Sequence, residues 1–224
     1  MAIQIQGNGG VVQEVGGTAF RAGHAHIKPV EYGALGHYRT SVRIVSTATQ
    51  AANSRIMTLR NTHATNILIL TRLTLRAIQI AAGTLQENSL DVYRVTGFTV
   101  DDTTNTVTPT AAVKRSGTMA AYPGGASVRY LTTTGVAAGM TGGTMTKDAQ
   151  FFATFPYMVT AGLATATYQP PQWGPLDCLD DVNGTHPFAL TQNQGIVIEN
   201  RVLNVTSMGI AWYLDFSWAE VTAY

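Results

Sequence analysis

The stretch from Ile210 to Val221 constrains the fold more than any other part of the 224-residue chain. Large apolar residues occupy every second position from Ile210 to Trp218, and mostly small or polar residues lie between them. This period-2 pattern is typical of a β-strand with one face in the core. It predicts that Trp212 and Trp218 are buried and that Asp215 points away from them, toward arginine or solvent.

Similar but weaker patterns precede this stretch. Between residues 66 and 80, Arg72, Thr74 and Arg76 lie on the face opposite the apolar residues, which is typical of an antiparallel sheet with one wet or interfacial face. The polar residues 101–105 predict a hairpin that joins residues 98–100 to residues 106–108. Helical periodicity is weak, and one short helix is predicted near residues 146–152. We expect further strands at residues 37–46, 55–60, 66–80, 89–99 and 127–134.

Strands at this short spacing, with long loops between some of them, predict an all-β protein. We expect an antiparallel β-sandwich of jelly-roll type. The Gly-rich residues 1–36 predict an extended N-terminal arm with one short strand, and residues 37–224 a single sandwich domain. That domain would carry a long irregular insertion at about residues 135–186, where glycine and proline runs are frequent.

Charge is scarce in this sequence. Only 12% of the residues are charged and the formal net charge is +1, so we expect binding neither to nucleic acid nor to membranes. A surface of Thr, Ser, Asn, Gln, Gly and Ala suits a protein that packs against neighbours. Lysine occurs only at positions 28, 114 and 147, and the excess of arginine fits either interfaces or a bias in genome base composition.

No pattern for catalysis or metal binding stands out. His24 and His26 share one side of an extended chain, but a spaced carboxylate or cysteine partner is missing. Asp177, Asp180 and Asp181 lack the spacing of a calcium loop. Nucleophile motifs and a visibly paired set of carboxylates are also missing. We therefore expect no enzymatic activity, no cofactor and no metal.

The candidate partner contacts lie outside the predicted strands. Trp173 stands in the Pro-rich run YQPPQWGP, which predicts a loop and an exposed aromatic contact. The glycine-rich arm supplies the others, and the full set is Arg21, His24, His26, Tyr32 and Trp173.

The block from residue 187 to residue 221 resembles the ends of structural proteins of tailed bacteriophages. The likeness is a cadence of proline, apolar residues, an Asn-x-Gly turn, an apolar strand and a Trp-containing strand ending in Trp-x-Glu. It covers under a fifth of the sequence. The matching residues are Pro187, Phe188, Leu190, Asn193, Gly195, Ile196, Val197, Ile198, Asn200, Trp212, Trp218 and Glu220.

This resemblance implies a virion structural protein. We expect a capsid decoration, or cement, protein on the outer capsid surface that clamps adjacent major capsid subunits as a homo-oligomer, either a dimer or a trimer. The N-terminal arm would cross onto a neighbour and add a strand to its sheet edge. Two alternatives stay open: a tail or head fibre module that contacts host glycans, and a carbohydrate-active enzyme on a jelly roll.

Overall fold

The computed structural model describes residues 3–6, 12–15, 36–46, 49–109, 113–114, 125–132, 138–161, 172–177, 188–203 and 209–222. These residues form β-strands and turns, and no helix occurs among them. The strands are β1 (Ile3–Gln6), β2 (Val12–Val15), β3 (His37–Ser46), β4 (Ser54–Asn61), β5 (Ile67–Gln79), β6 (Gln86–Val100), β7 (Thr106–Val107), β8 (Val113–Lys114), β9 (Ala126–Leu131), β10 (Thr144–Lys147), β11 (Ala153–Val159), β12 (Gln172–Asp177), β13 (Phe188–Leu190), β14 (Gly195–Asn200) and β15 (Ile210–Val221).

Residues 1–30 form a compact unit of their own. In it, β1 and β2 pair as an antiparallel hairpin, with Ile3 opposite Val15 and Gln6 opposite Val12. The sequence predicted one short strand in this region, and the structure has two that pair with each other. The second compact unit, residues 31–224, contains all of the other strands.

Sheet 1 has the strand order β12–β5–β15–β3–β8, and β13 also pairs with β5. Every pairing in it is antiparallel. Strand β15 lies at its centre and pairs with β3 on one side and with β5 on the other. The strand predicted from the alternation at Ile210–Val221 is therefore confirmed, and so are its bounds.

Sheet 2 has the order β10–β6–β14–β4–β9–β7, and it too is antiparallel. Strand β6 is 15 residues long and carries two partners end to end. Strand β11 pairs with its first half, Gln86–Val92, and β10 pairs with its second half, from Val95 to Val100.

The two sheets share one core, which is the arrangement of a β-sandwich. The cluster of buried apolar side chains takes members from both sheets, including Leu75 and Trp212 from sheet 1 and Leu59 and Ile198 from sheet 2. The predicted all-β, antiparallel sandwich is confirmed.

Aromatic side chains of β15 anchor this core as predicted. Trp212, Phe216 and Trp218 are each 0% exposed. The Trp218 ring stacks on Phe216 at 5.7 Å and on Tyr38 of β3 at 5.5 Å between ring centroids. Contacts of this kind contribute about 1 kcal/mol each beyond the burial of apolar area, and the contact between Trp218 and Tyr38 helps to hold β15 against its neighbour β3.

The predicted hairpin at residues 98–108 was wrong, because β7 pairs with β9 and not with β6. The carboxylate of Asp101 accepts hydrogen bonds from Arg60 of β4, at 3.3 Å, and from Ser127 of β9, at 2.8 Å. These bonds hold residues 101–105 across the end of β4, so that the following strand, β7, lies beside β9. Polar turn residues indicated the change of direction correctly, but not the strand with which β7 pairs.

The predicted helix near residues 146–152 was also wrong. Lys147 ends strand β10, and the N–H groups of Asp148 and Phe152 donate to the carbonyls of Arg94 and Val92 in β6, each at 2.9 Å. Backbone donors that would close helical turns are thus used by the neighbouring sheet. Strands β10, β11 and β12 all lie within the segment expected to be an irregular insertion.

Candidate functional site: an arginine face on sheet 1

The outer face of sheet 1 is built by the alternation of its long strands. In β3, Arg39, Ser41 and Arg43 are exposed, and the residues between them are buried. In β5, Arg72 and Arg76 are exposed on the side away from the core. Because successive side chains of a strand point to opposite faces, these arginines all project from the same surface of the sandwich.

The register of β15 arranges these residues in rows that run across the three central strands of sheet 1. Successive arginines on one strand are about 13 Å apart and those facing each other across β15 about 10 Å apart, from the rise per residue and the strand spacing. The set is called the arginine face below. Its rows are Arg43–Tyr213–Arg76, Ser41–Asp215–Thr74 and Arg39–Ser217–Arg72.

The Tyr213 ring is the platform of the first row. The guanidinium carbon of Arg76 lies 5.0 Å from its centroid and that of Arg43 lies 5.9 Å away. Arg43 Nε also donates to the Tyr213 hydroxyl at 3.2 Å. Each cation–π contact is worth about 0.5–1 kcal/mol at an exposed site. Both guanidinium groups are therefore held in place while their remaining N–H groups face solvent.

Asp215 lies at the centre of the arginine face, and its side chain points away from Trp212 toward an arginine, as predicted from its place in β15. Its carboxylate accepts a hydrogen bond from Ser41 and lies 3.7 Å from Arg39. The side chains of Arg39 and Asp215 are 45% and 33% exposed, so this ion pair is hydrated and weak. Arg72 Nε donates to the hydroxyl of Thr74 at 3.1 Å.

Positive charge is in excess on this surface. Four arginines meet one carboxylate, and Arg43, Arg72 and Arg76 form no ion pair with any described side chain. The Cα of Asp177 in β12 lies opposite Thr74, and counting its formal charge still leaves four cations against two anions. For a chain of net charge +1, this is a marked local concentration.

Sheet 2 treats its charges differently. Four of its cations are matched with carboxylates that are 19% exposed or less, whereas Arg94 and Arg129 form no ion pair with any described side chain. The pairs are Arg55–Asp102 at 3.1 Å, Arg60–Asp101 at 3.3 Å, Arg201–Asp91 at 3.7 Å, and Lys147–Glu199.

Apolar groups also cover part of the outer face of sheet 2. Val95, Phe98 and Val197 form a small second core there, with Tyr93 and Met145 packed against it. Burial, followed by the nearby negative charges of Asp91 and Glu199, raises the pKa of the Tyr93 hydroxyl above its ordinary value. This face therefore combines an apolar cluster with four paired cations.

A cleft of about 340 Å³ opens on sheet 2 beside strand β10. It is lined by Arg55, Gly143, Thr144, Met145, Lys147 and Glu199. Its cations are already neutralised, because Lys147 pairs with Glu199 and Arg55 pairs with Asp102. The cleft therefore offers a ligand less unmet charge than the arginine face does.

One carboxylate of sheet 1 lies inside the sandwich. Glu220 is 5% exposed and accepts hydrogen bonds from the backbone N–H of Gly125, at 2.8 Å, and from Trp218 Nε1, at 3.4 Å. Burial raises the pKa of Glu220 above its ordinary value, and these two hydrogen bonds and the charge of His63 only partly oppose that rise. The group ties the end of β15 to the start of β9.

The predicted contact residues of the arm, which are Arg21, His24, His26 and Tyr32, lie outside the described residues. Trp173 does not lie in a loop as expected, since its Cα is opposite Ala77 in the pairing of β12 with β5. Strand β12 tolerates its proline because it is an edge strand and its register is irregular between Trp173 and Leu176.

Residues of the phage-like block have structural roles. Asn193 adopts a left-handed φ of 61° in the turn before β14, and its side-chain oxygen accepts a hydrogen bond from Arg60 at 2.6 Å. A Cβ at position 195 would lie 2.0 Å from the carbonyl oxygen of Leu59, so glycine is required there. At Asn193 and Gly195, the residues that carry the resemblance therefore shape the backbone of the fold.

The sequence missed the arginine face as a site. Arginines at Arg39 and Arg43 and at Arg72 and Arg76 share a spacing of four residues, which places each pair on one strand face. That signal was present in the sequence. The sequence did not show the strand register, which places one pair in β3 and the other in β5, on opposite sides of β15.

Among the described residues, no group of His, Cys, Asp and Glu side chains is arranged to hold a metal ion. The described part of the chain also contains no helix that is long and apolar enough to cross a membrane. No family model, curated protein or solved structure matches the chain.

Proposed function

We propose that this chain is a non-enzymatic structural protein of a tailed-bacteriophage virion. It decorates the outer surface of the capsid and clamps adjacent major capsid subunits, with apolar burial supplying affinity and arginine contacts supplying register. Its partners are the major capsid protein and other copies of itself. The phage assignment depends on the resemblance of residues 187–221.

The arginine face is the observation that carries the attachment role. Exposed ion pairs add little to folding stability, so a face of unpaired arginines has little use in an isolated sandwich. Arginine is enriched at protein interfaces because its planar group makes bidentate bonds and stacks on aromatic rings. In the arginine face, Arg43 and Arg76 are already stacked on Tyr213 and have free N–H groups.

The hairpin of β1 and β2 supports the proposal that the N-terminal region acts as a clamp. An isolated two-stranded hairpin is marginally stable in water at best. Its outer strand edges retain backbone groups that a neighbouring sheet can pair with. Docking on a neighbouring subunit would stabilise it.

The strand order supports the jelly-roll form of the fold. Strands β3, β4, β5 and β6 alternate between the two sheets. Sheet 1 then places β15 between β3 and β5, and sheet 2 places β14 between β4 and β6. This nesting of late strands between early ones is expected when two Greek keys share a sandwich.

Copy number in the virion tests the proposed function. Purified particles of the phage that encodes this chain would be digested, and the chain quantified by mass spectrometry against the major capsid protein. A decoration protein is expected in hundreds of copies per particle, because it repeats around a symmetric shell. About a dozen copies or fewer would contradict decoration and favour the fibre alternative.

Deletion of residues 1–30 tests the clamp. We expect the shortened chain to lose attachment to particles, because the hairpin unit is gone, but to keep its sandwich. Burial of Trp212 and Trp218 supplies the control, since their fluorescence should stay that of the full chain. Normal coating of particles by the shortened chain would exclude a role for the arm.

A further inference from the structure

The rows of the arginine face define what kind of partner fits it. The Cα atoms of the four arginines stand at the corners of a rectangle of about 10 by 13 Å, from the strand spacing and the rise per residue. Asp215 lies at its centre, between Ser41 and Thr74. A complementary partner surface would therefore carry carboxylates opposite the arginines and a hydrogen-bond donor opposite Asp215.

We propose that the arginine face binds an acidic surface of a partner protein, on which carboxylates surround a central donor. Each guanidinium would hold one carboxylate through paired N–H···O bonds, and Asp215 would accept the bond from the donor. The inference rests on the proposed function for the identity of the partner, an acidic patch on the capsid, but not for the chemistry of the face.

The free protein is prepared for this contact. Tyr213 holds two of the guanidinium groups, so less side-chain freedom is lost when they bind. Repulsion among the four arginines is limited in the unbound state, because their Cα atoms are about 10 to 13 Å apart and salt screens exposed charges beyond about 8 Å under physiological conditions. A carboxylate in direct contact with one guanidinium is screened much less.

A polyanion such as nucleic acid fits this face poorly. Asp215 would repel a phosphate placed at the centre of the rectangle, and its side chain is one-third exposed, at 33%. Phosphate backbones also carry no donor to satisfy its oxygens. The chain as a whole, with net charge +1, supplies no wider field that would attract a polyanion.

A second copy of the same face fits no better. Two identical faces related by a two-fold axis would bring four arginines against four arginines. Repulsion of that kind opposes docking. We therefore assign the acidic surface to a different protein.

The test uses the full chain with two probes at equal ionic strength: a short poly-L-glutamate peptide and a single-stranded oligonucleotide of matched charge. Binding would be followed by NMR through the backbone amide shifts. We expect the peptide to shift amides of β3, β5 and β15. R76Q should weaken peptide binding about fivefold, the loss expected for one exposed charge contact of about 1 kcal/mol.

Three further variants make the result specific. R94Q removes the same charge from a partly exposed arginine of sheet 2, and its peptide affinity should stay unchanged. R76K keeps the charge but loses the planar fork, so it should still bind more weakly than the native chain. D215N should leave peptide binding equal or weaker, but it should strengthen oligonucleotide binding by removing a repelling charge.

Shifts outside sheet 1, or equal losses in R76Q and R94Q, would overturn the proposal. Tighter binding of the oligonucleotide than of the peptide would replace it with a polyanion site. Self-association that R76Q abolishes would replace it with a contact between copies. The virion copy number remains a separate measurement: hundreds of copies with no peptide binding would sink this inference alone, while peptide binding with few copies would sink only the capsid role.

Discussion

The two sheets of the sandwich manage charge in opposite ways. Around sheet 2, four cations are matched one to one with carboxylates that are largely or wholly buried. On sheet 1, four arginines project from the outer face around a single half-exposed carboxylate, Asp215. One sheet uses its charges within the fold, and the other presents them outward.

This difference separates stability from recognition. Removing one member of a buried pair leaves an unsatisfied charge and is costly. Removing one member of an exposed pair costs little. Substitutions in the buried ion pairs of sheet 2 should therefore destabilise the protein, whereas substitutions on the arginine face should change binding and leave the fold intact.

The largest effect is expected from removing the buried carboxylate of Asp102 on sheet 2. Removal of the exposed carboxylate of Asp215 on sheet 1 is the matched change. The side chain of Asp102 is 0% exposed, forms an ion pair with Arg55 and accepts a hydrogen bond from the backbone N–H of Gly143. D102A should lower the free energy of unfolding by about 3 kcal/mol, as breaking a buried pair does. D215A should lower it by about 0.5 kcal/mol, the value of an exposed pair.

Urea denaturation of both variants, followed by tryptophan fluorescence, measures these losses. Equal losses in D102A and D215A would show that the two faces do not differ in the way the ion pairs indicate.

The next effect concerns the pH dependence of stability and Glu220, a buried carboxylate of sheet 1. The folded-state pKa of Glu220 is raised by burial above the unfolded value of about 4.3. The folded state therefore binds this proton more tightly than the unfolded state. The resulting stability is fully present below about pH 4.3 and is lost as the pH rises through the raised pKa.

E220Q should remove this pH dependence, because its side-chain oxygen can still accept from Gly125 and Trp218 without a charge. Between pH 4 and pH 7, the unfolding free energy of E220Q should fall less, or rise more, than that of the native chain. The measurement is urea denaturation across that range for both proteins. Parallel pH curves would mean that Glu220 is equally easy to ionise in both states.

The smallest effect is expected on the arginine face itself. R76Q should lower the free energy of unfolding by about 0.5 kcal/mol, the low end for its exposed cation–π contact with Tyr213, since Arg76 has no ion pair among the described residues. R60Q is the matched change on sheet 2, where the guanidinium bonds both Asp101 and Asn193, and it should cost about 1–2 kcal/mol. Thermal melts at low and high salt compare the two, and a larger loss in R76Q than in R60Q would contradict the comparison.

The sequence predicted single strands much better than it predicted their partners. Strand β15 follows directly from alternating residues, and the burial of Trp212 needed no knowledge of the neighbours. Strand β7 was assigned to the wrong partner, since pairing depends on Asp101 reaching Arg60 and Ser127, which are 41 and 26 residues away.

The same limit explains why the arginine face was missed. The outward orientation of Asp215 and of Arg76 was predicted from the parity of each strand. Their grouping depends on β15 lying between β3 and β5, and long-range register of this kind is not encoded in any local pattern. The expectation of a Trp173 loop failed because proline usually marks a loop, yet an edge strand can contain it.

The central position of β15 also determines when this protein can fold during synthesis. The hydrogen bond between Ser41 and Asp215 joins residues 174 positions apart, so β3 and β5 leave the ribosome long before the strand that must lie between them. Contacts so distant in sequence make folding slow and leave strand edges open meanwhile. A chain truncated before β15 would carry all four arginines without Tyr213 and Asp215, so only molecules translated through β15 can display the complete surface.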